Sequence, residues 1–297
     1  MMNDKGRKTT LILITAALIL AAVVGILVML CLPKLSEDQN LLTAPLASEP
    51  TSAPTVVTEP PEPTLPPEPT LPPPEENPYG PLDFQFKGYY LKLIEGNSIT
   101  GIDVSSHQKE IDWEAVKASG VDFAMIRIGY RGYESGIIAE DPYAKANLEG
   151  AAAAGLDVGV YFFSQALNMM EAEEEAYWVL DYIKDYNITM PVVYDWEKVD
   201  SSKARTNDMD KRTLTDCSRV FLETVEVAGY QPMLYFNRNQ AKYLLYLSEL
   251  KDYDFWLAAY TDRMTYPYQV QMWQYTNTGY VPGVEGNCDI NIYFPDA

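Results

Sequence analysis

One histidine, His107, serves the whole 297-residue chain, and that scarcity removes several chemistries at once. The common zinc sites take two or three imidazoles, and a serine triad would have to use His107 itself. Cysteine is nearly as scarce. Of three, Cys31 lies in an N-terminal apolar run, while Cys217 and Cys288 stand far apart, open to pairing in an oxidising compartment or to burial as two free thiols. Positive charge is short as well: 22 Lys and Arg against 42 Asp and Glu give a net charge of −20. Such a chain repels phosphate backbones, which argues against nucleic acid as a partner. No Gly-x-Gly-x-x-Gly follows the first strand and no Walker loop occurs anywhere, so nothing cradles a nucleotide. Neither a metal nor a cofactor is expected.

What is present is ordered along the chain. Residues 1–8 carry Lys5, Arg7 and Lys8, and residues 9–32 carry no charge. About 20 apolar residues span a bilayer, and the positive flank keeps the N-terminus in the cytoplasm. A cleavable signal peptide has an apolar region of about 7–15 residues and a small-residue cleavage site; here the run closes on the bulky Met29-Leu30-Cys31-Leu32-Pro33. Residues 1–8 are therefore expected to be a cytoplasmic tail and residues 9–32 an uncleaved signal anchor, single-pass in the cell membrane, with the lipid bilayer as its partner and the rest outside. Residues 33–78 are a linker rich in Pro, Glu and Thr, in which Glu62-Pro63-Thr64-Leu65-Pro66-Pro67 recurs as Glu68-Pro69-Thr70-Leu71-Pro72-Pro73. Such a segment cannot bury a core and favours polyproline II, with a reach of at most ~140 Å. Residues 79–98 are transitional, with a hairpin of 83–86 and 89–94 turning at Lys87-Gly88.

From residue 99 to 297 the pattern is regular. Strands are expected at 102–104, 121–130, 157–165, 190–197 and 232–237, alternating with helices at 113–119, 141–154, 171–184, 214–228 and around 243–247. Gly155 and Gly229 close two of the helices. Three further strands, 254–260, 269–275 and 289–294, have only loops between them. Strand–helix alternation implies an α/β fold with a parallel sheet and right-handed crossovers. Eight strands in about 195 residues suit a closed, TIM-like barrel better than an open doubly wound sheet.

In a parallel barrel, chemistry gathers at the C-terminal strand ends. The fourth strand ends Pro191-Val192-Val193-Tyr194-Asp195-Trp196-Glu197, and strand alternation points Asp195 and Glu197 the same way, roughly 6–7 Å apart. Two carboxylates so placed beside a large ring repel one another and are unequally desolvated, which leaves one protonated and one ionised. That pair suits glycoside hydrolysis; the plainer alternative is a solvated acidic strand end near Lys198. The other strand ends contribute Asp103 and His107, Arg127 and Tyr130, Tyr161 and Phe163, and Tyr235 and Asn237. The last three strands add Trp256, Tyr260, Trp273, Gln274 and Asp289. An acidic cluster ringed by aromatics fits a sugar, whose C–H faces stack on rings while its hydroxyls bond carboxylates.

Gly101-Ile102-Asp103-Val104-Ser105-Ser106-His107-Gln108, Asp112-Trp113, Asp195-Trp196-Glu197 and Cys288-Asp289-Ile290-Asn291, in that order, resemble glycoside hydrolase family 25, the Chalaropsis-type lysozymes. The likeness runs from about residue 99 to the C-terminus, and Gln271-Met272-Trp273-Gln274-Tyr275 fits the family's seventh strand. It implies an irregular (β/α)5(β)3 barrel that cleaves the β-1,4 bond between N-acetylmuramic acid and N-acetylglucosamine in the glycan strands of peptidoglycan. On the matching positions Glu197 is the implied general acid/base, Asp195 its partner, and Asp103 and Asp289 complete the acidic floor. His107 is implied to be a structural hydrogen-bonder. No matching catalytic position is substituted.

The second carboxylate has two open routes. Asp195 attacks the anomeric carbon, or it orients the substrate's 2-acetamido group to do so, and the second is favoured. A rival function is a non-catalytic wall-glycan-binding module on a membrane stalk; another is hydrolysis of a different glycan such as chitin. No wall-binding repeat follows Phe294, so the expectation is a tethered, monomeric catalytic domain whose anchor supplies localisation.

Overall fold

The computed structural model describes residues 71–297. The expected anchor at 9–32 and nearly all of the linker lie outside the described residues. Among those described, no helix is long and apolar enough to cross a membrane.

A two-stranded hairpin, β1 (Phe84–Lys87) and β2 (Tyr90–Leu93), precedes the barrel. Gly88 at its tip has φ +66°, a left-handed conformation that costs glycine nothing. The barrel then runs β3 (Ile99–Val104), α1 (Trp113–Ala118), β4 (Phe123–Arg131), β5 (Ile138–Glu140), α2 (Ala144–Ala153) and β6 (Asp157–Ser164). It continues with α3 (Met169–Ile183), β7 (Val192–Trp196), α4 (Lys211–Val227), β8 (Pro232–Asn237) and α5 (Arg238–Tyr243). The chain finishes with β9 (Asp254–Ala258), β10 (Met272–Gly279) and β11 (Cys288–Tyr293). The sheet order is β3-β11-β10-β9-β8-β7-β6-β4-β5, and a β3–β4 pairing closes the ring, leaving β5 outside it. Within the ring, β11 runs antiparallel to both of its neighbours, and outside it β5 runs antiparallel to β4. Five strand–helix units followed by three helix-free strands are thus the architecture that the sequence predicts.

Local sequence explains the elements. Asp210 caps α4 by accepting from the backbone N–H of Arg212 and Thr213 at 2.8 and 3.0 Å, and Leu214, Cys217, Phe221, Leu222 and Val225 form its buried stripe. Gly229, at φ +87°, ends it. Asp112 caps α1 through Ala115 N–H. The helix expected from residue 141 begins three residues later because Asp141 is engaged elsewhere. Its carboxylate accepts from the backbone N–H of Tyr143 and Ser106. The strand β5 escapes sequence detection, being only three residues long.

The helix-free strands leave an apolar outer face, and the hairpin covers it. Phe84 meets Trp273 and Phe294 edge-on at 5.2 and 6.0 Å between ring centroids, and Leu91 N–H donates to the Tyr275 hydroxyl at 3.2 Å. Tyr90, Leu91 and Leu93 are buried with the barrel core. Residues 84–93 therefore pack as part of the barrel, in the place where helices would otherwise sit. At the other end of the strands, Glu76 bridges Tyr268 and Asn77 bonds Pro267 and Tyr266. The chain thus joins the barrel near the N-terminal ends of the strands. Cys217 and Cys288 are both buried and free, which decides between the two expectations for them.

Candidate active site

Strand parity sorts the barrel interior into two layers. Toward the strand N-termini, Phe123, Met125, Val193, Met233 and Met272 fill the barrel and close it. One step further along the same strands the inward residues turn polar, and there a cleft of ≈590 Å³ opens. Asp103, Arg127, Tyr161, Phe163, Asp195, Tyr235, Trp256 and Gln274 line it from seven strands, joined by Asp289 of β11 and by Glu197, one residue beyond β7. Tyr130 lines it too. It stands three residues from Arg127, a spacing that would face it outward, but a bulge between Arg127 and Gly129 resets the parity.

Asp103 is the centre of a buried network. Its Oδ2 accepts from Gln274 Nε2 and Asn291 Nδ2, both at 2.8 Å. Gln274 Oε1 in turn accepts from the Tyr235 and Tyr260 hydroxyls at 3.0 and 3.2 Å, and Asn291 Oδ1 accepts from Trp256 Nε1 at 2.9 Å. Each amide is thereby fixed in orientation. Asp289 faces Asp103 across the antiparallel β3–β11 pair.

Asp195 has no such partners. It is buried, and its Oδ1 finds no hydrogen-bond donor among the described residues. Glu197 is half-buried, and its backbone is clamped by two buried glutamines. Gln165 Nε2 donates to the Glu197 carbonyl at 2.8 Å, and Gln240 Nε2 donates to the Trp196 carbonyl. Gln165 is held in its turn by Thr206, whose hydroxyl donates to Oε1 at 2.7 Å. The strand end that carries both acids is thus rigid, while Asp195 Oδ1 is left without a donor.

That combination governs their proton affinity. Burial, then the charges of Glu197 and Asp103, push Asp195 well above the usual carboxylate range. Burial and the Asp103 charge raise Glu197. Burial raises Asp103 to about 6 despite its two amide donors, and burial with the neighbouring acids raises Asp289 to about 8. Four crowded carboxyls cannot all ionise near neutrality, so the cluster retains protons that it can donate. Arg127 does not neutralise it fully. Its guanidinium pairs with Asp141 at 2.8 Å, donates to Ser106 Oγ at 3.1 Å and lies 5.6 Å from the Tyr130 ring centre. With its charge already matched, Arg127 is no phosphate clamp. Among the described residues no group of three or more His, Cys, Asp or Glu side chains has the arrangement of a metal site.

Three sequence-based placements are corrected. Trp273 is fully buried on the outer face of β10, donating from Nε1 to the Ala259 carbonyl at 2.9 Å; its neighbour Gln274 takes the inward position, and adjacent strand residues cannot share a face. Asn237 does not line the cleft. Its Oδ1 caps α5 by accepting from Asn239 and Gln240 N–H at 3.0 and 3.1 Å. His107 is exposed at the cleft rim, and the hydrogen bonding of its turn is carried by Ser105 and Gln108. Conversely, Tyr133, Pro142 and Val199 line the cleft unannounced. They sit in loops, where no periodicity marks them. Asn291 was within reach of sequence reasoning, since it is two residues from Asp289 on one strand face.

Comparison with known proteins agrees with this geometry. The model of "Glycosyl hydrolases family 25" matches residues 102–284, more than half of the chain. The chain is 26% identical over 220 residues to the uncharacterized protein YegX of Escherichia coli (strain K12), covering 70% of this chain and 74% of YegX. It is 26% identical over 194 residues to the autolytic lysozyme of Clostridium acetobutylicum, covering 65% of this chain and 55% of that protein. Among solved structures, the modular autolysin LytC of Streptococcus pneumoniae, in complex with a synthetic peptidoglycan ligand, superposes with a TM-score of 0.60 at 29% identity. That match covers 68% of this chain and 48% of LytC, so the chain spans about half the autolysin's length. With its motifs, its barrel and its acidic cleft in agreement with the family model, this chain belongs to glycosyl hydrolases family 25.

Proposed function

We propose that this glycoside hydrolase is an N-acetylmuramidase, cleaving peptidoglycan between N-acetylmuramic acid and N-acetylglucosamine with Glu197 as general acid/base and Asp195 as its partner. The observation that carries the reading is the buried, donor-less Oδ1 of Asp195 beside a half-exposed Glu197. A carboxylate with a missing donor is a receptor for an N–H group, and the 2-acetamido group of an amino sugar brings one. The likeness to an autolysin solved with a peptidoglycan ligand supports the same substrate class.

The steps follow from proton affinities. In the empty cleft Asp195 is the more buried acid and holds its proton more firmly. The sugar's acetamido N–H supplies the absent hydrogen bond, lowers the Asp195 proton affinity and moves the negative charge there, so the proton resides on Glu197. Glu197 then protonates the leaving glycosidic oxygen as the acetamido carbonyl oxygen bonds to the anomeric carbon and the glycosidic C–O bond breaks. Glu197, now ionised, takes a proton from the incoming water, whose oxygen displaces the acetamido oxygen and regenerates the acid. Tyr161 and Phe163, half-buried in the cleft wall, offer their rings to the sugar.

Residues 9–32 are proposed to anchor the enzyme in the cell membrane, with residues 33–78 as a stalk. The charge-free run at 9–32 behind Lys5, Arg7 and Lys8, and the Pro-rich segment after it, support this reading. Recovery of the intact protein from culture medium, free of membrane, would refute the tether.

The catalytic assignment is tested by reducing-end release from purified peptidoglycan. Glu197→Gln is expected to lose ~10²–10⁴-fold in rate while glycan binding persists. An active Glu197→Gln would refute the assignment, and a wild type that binds strands without cleaving them would favour a binding module.

A further inference from the structure

A second groove, of ≈410 Å³, adjoins the cleft and shares Tyr260 with it. Its walls come from the β1–β2 hairpin, through Phe86 and Tyr89, and from the β10 end, through Tyr275 and Asn277, with the exposed Asp262 also lining it. Phe86, Tyr89 and Tyr260 are 57%, 59% and 55% exposed, which is unusual for three large rings gathered at one groove. Phe86 touches Tyr275 edge-on at 6.5 Å and Tyr89 touches Tyr280 at 5.4 Å between ring centroids, yet each leaves more than half of its surface open. Tyr260 is the hinge between the two sites: its hydroxyl donates to the cleft's Gln274 at 3.2 Å while its ring stands open to the groove.

From this continuity we infer that the groove is an extended glycan subsite, in which the strand leaving the cleft past Tyr260 lays its sugars on Phe86 and Tyr89. The inference rests on the peptidoglycan reading of the cleft. Its chemistry suits amino-sugar strands in two respects. The rings offer flat apolar faces for sugar C–H groups, and Thr276, Asn277 and Thr278 supply hydroxyls and an amide at the rim. The groove carries no cation among its lining residues, so it does not select the carboxylates of stem peptides. Phe86 and Tyr89 belong to the hairpin at 84–93, which precedes the family-matched residues 102–284, while Tyr260, Tyr275 and Asn277 lie within them.

The test uses the full-length chain with Glu197→Gln, binding to long peptide-free glycan strands and to a tetrasaccharide too short to reach the hairpin. Adding Phe86→Ala and Tyr89→Ala is expected to weaken strand binding about tenfold and to lower the strand-to-tetrasaccharide affinity ratio by the same factor. Replacing both rings by Trp should restore the ratio. An unchanged ratio would overturn the subsite, as would a hairpin dependence seen with intact peptidoglycan but absent with peptide-free strands. Hydrolysis by the chain with Glu197 intact is read separately. Hairpin-dependent binding without any hydrolysis would keep the subsite and refute the muramidase, whereas hydrolysis with no hairpin dependence would do the reverse.

Discussion

Asp103 and Glu197 touch the same problem from opposite sides. Asp103 is held by Gln274 and Asn291, and its charge is the neighbouring cause of the raised Glu197 proton affinity. Removing that charge lowers the Glu197 value, so Asp103→Asn is expected to shift the alkaline limb of the kcat/KM profile to lower pH. A limb that does not move would show that Glu197 is not the titrating acid. Gln165 acts at one remove, through the Glu197 carbonyl. Gln165→Leu is expected to lower kcat with little change in KM, because it loosens the acid without touching the substrate; a change confined to KM would contradict this positioning role. Asp195 on β7 and Glu197 just beyond it were legible because strand parity and the Asp-Trp-Glu motif agreed. Trp273 was misplaced although the same parity, applied to Trp273 and Gln274 together, admits only one of them to the cleft. Asn237 carried its own warning, since Asn with Gln three residues later is a capping-box pattern, and the box is formed.

Among the elements, the hairpin does more than its length suggests. Five helices cover the five strand–helix units, whereas the hairpin covers the helix-free β10 and the end of β11, with Phe84 against Trp273 and Phe294 and Leu91 N–H on the Tyr275 hydroxyl. Leu91→Ala should therefore destabilise the whole barrel, by about 2–5 kcal/mol, measurable in urea unfolding; a cost near zero would mean that the hairpin is an ornament. Its turn was readable at Lys87-Gly88, but its packing was not, because nothing in four-residue strands tells which distant sheet they cover. The strand–helix alternation was legible for the opposite reason: each element is long, periodic and bounded by a cap or a glycine. Arg127 and Tyr130 show a third case, in which both residues were correctly placed at the mouth but by a bulge that alternation alone would forbid.

For the molecule as a whole, the cluster of raised carboxyls sets how stability responds to pH. Unfolded carboxyls titrate near 4, whereas Asp103 and Asp289 of the cleft are raised to about 6 and 8, and burial raises Glu175, outside the cleft on α3 beside Arg131, to about 7. Between these limits the folded state holds more protons than the unfolded, so stability falls as pH rises from about 4 to 8. Glu171 and Glu249, held low by arginines, act the other way, but their contribution is lost only as pH falls below about 4. A lower Tm at pH 8 than at pH 5 is expected, with Asp289→Asn reducing the difference; a Tm that rises over that interval would contradict the buried-acid account. The same cluster that weakens the fold at neutral pH keeps a proton ready for the glycosidic oxygen.

The most direct test of that chemistry is the identity of the new reducing sugar. Peptidoglycan digested by the full-length chain, reduced with borohydride and analysed by mass spectrometry, should carry its reduced ends on N-acetylmuramic acid. Reduced ends on N-acetylglucosamine, or fragments cut only in the peptide, would contradict the muramidase assignment and the roles given to Glu197 and Asp195.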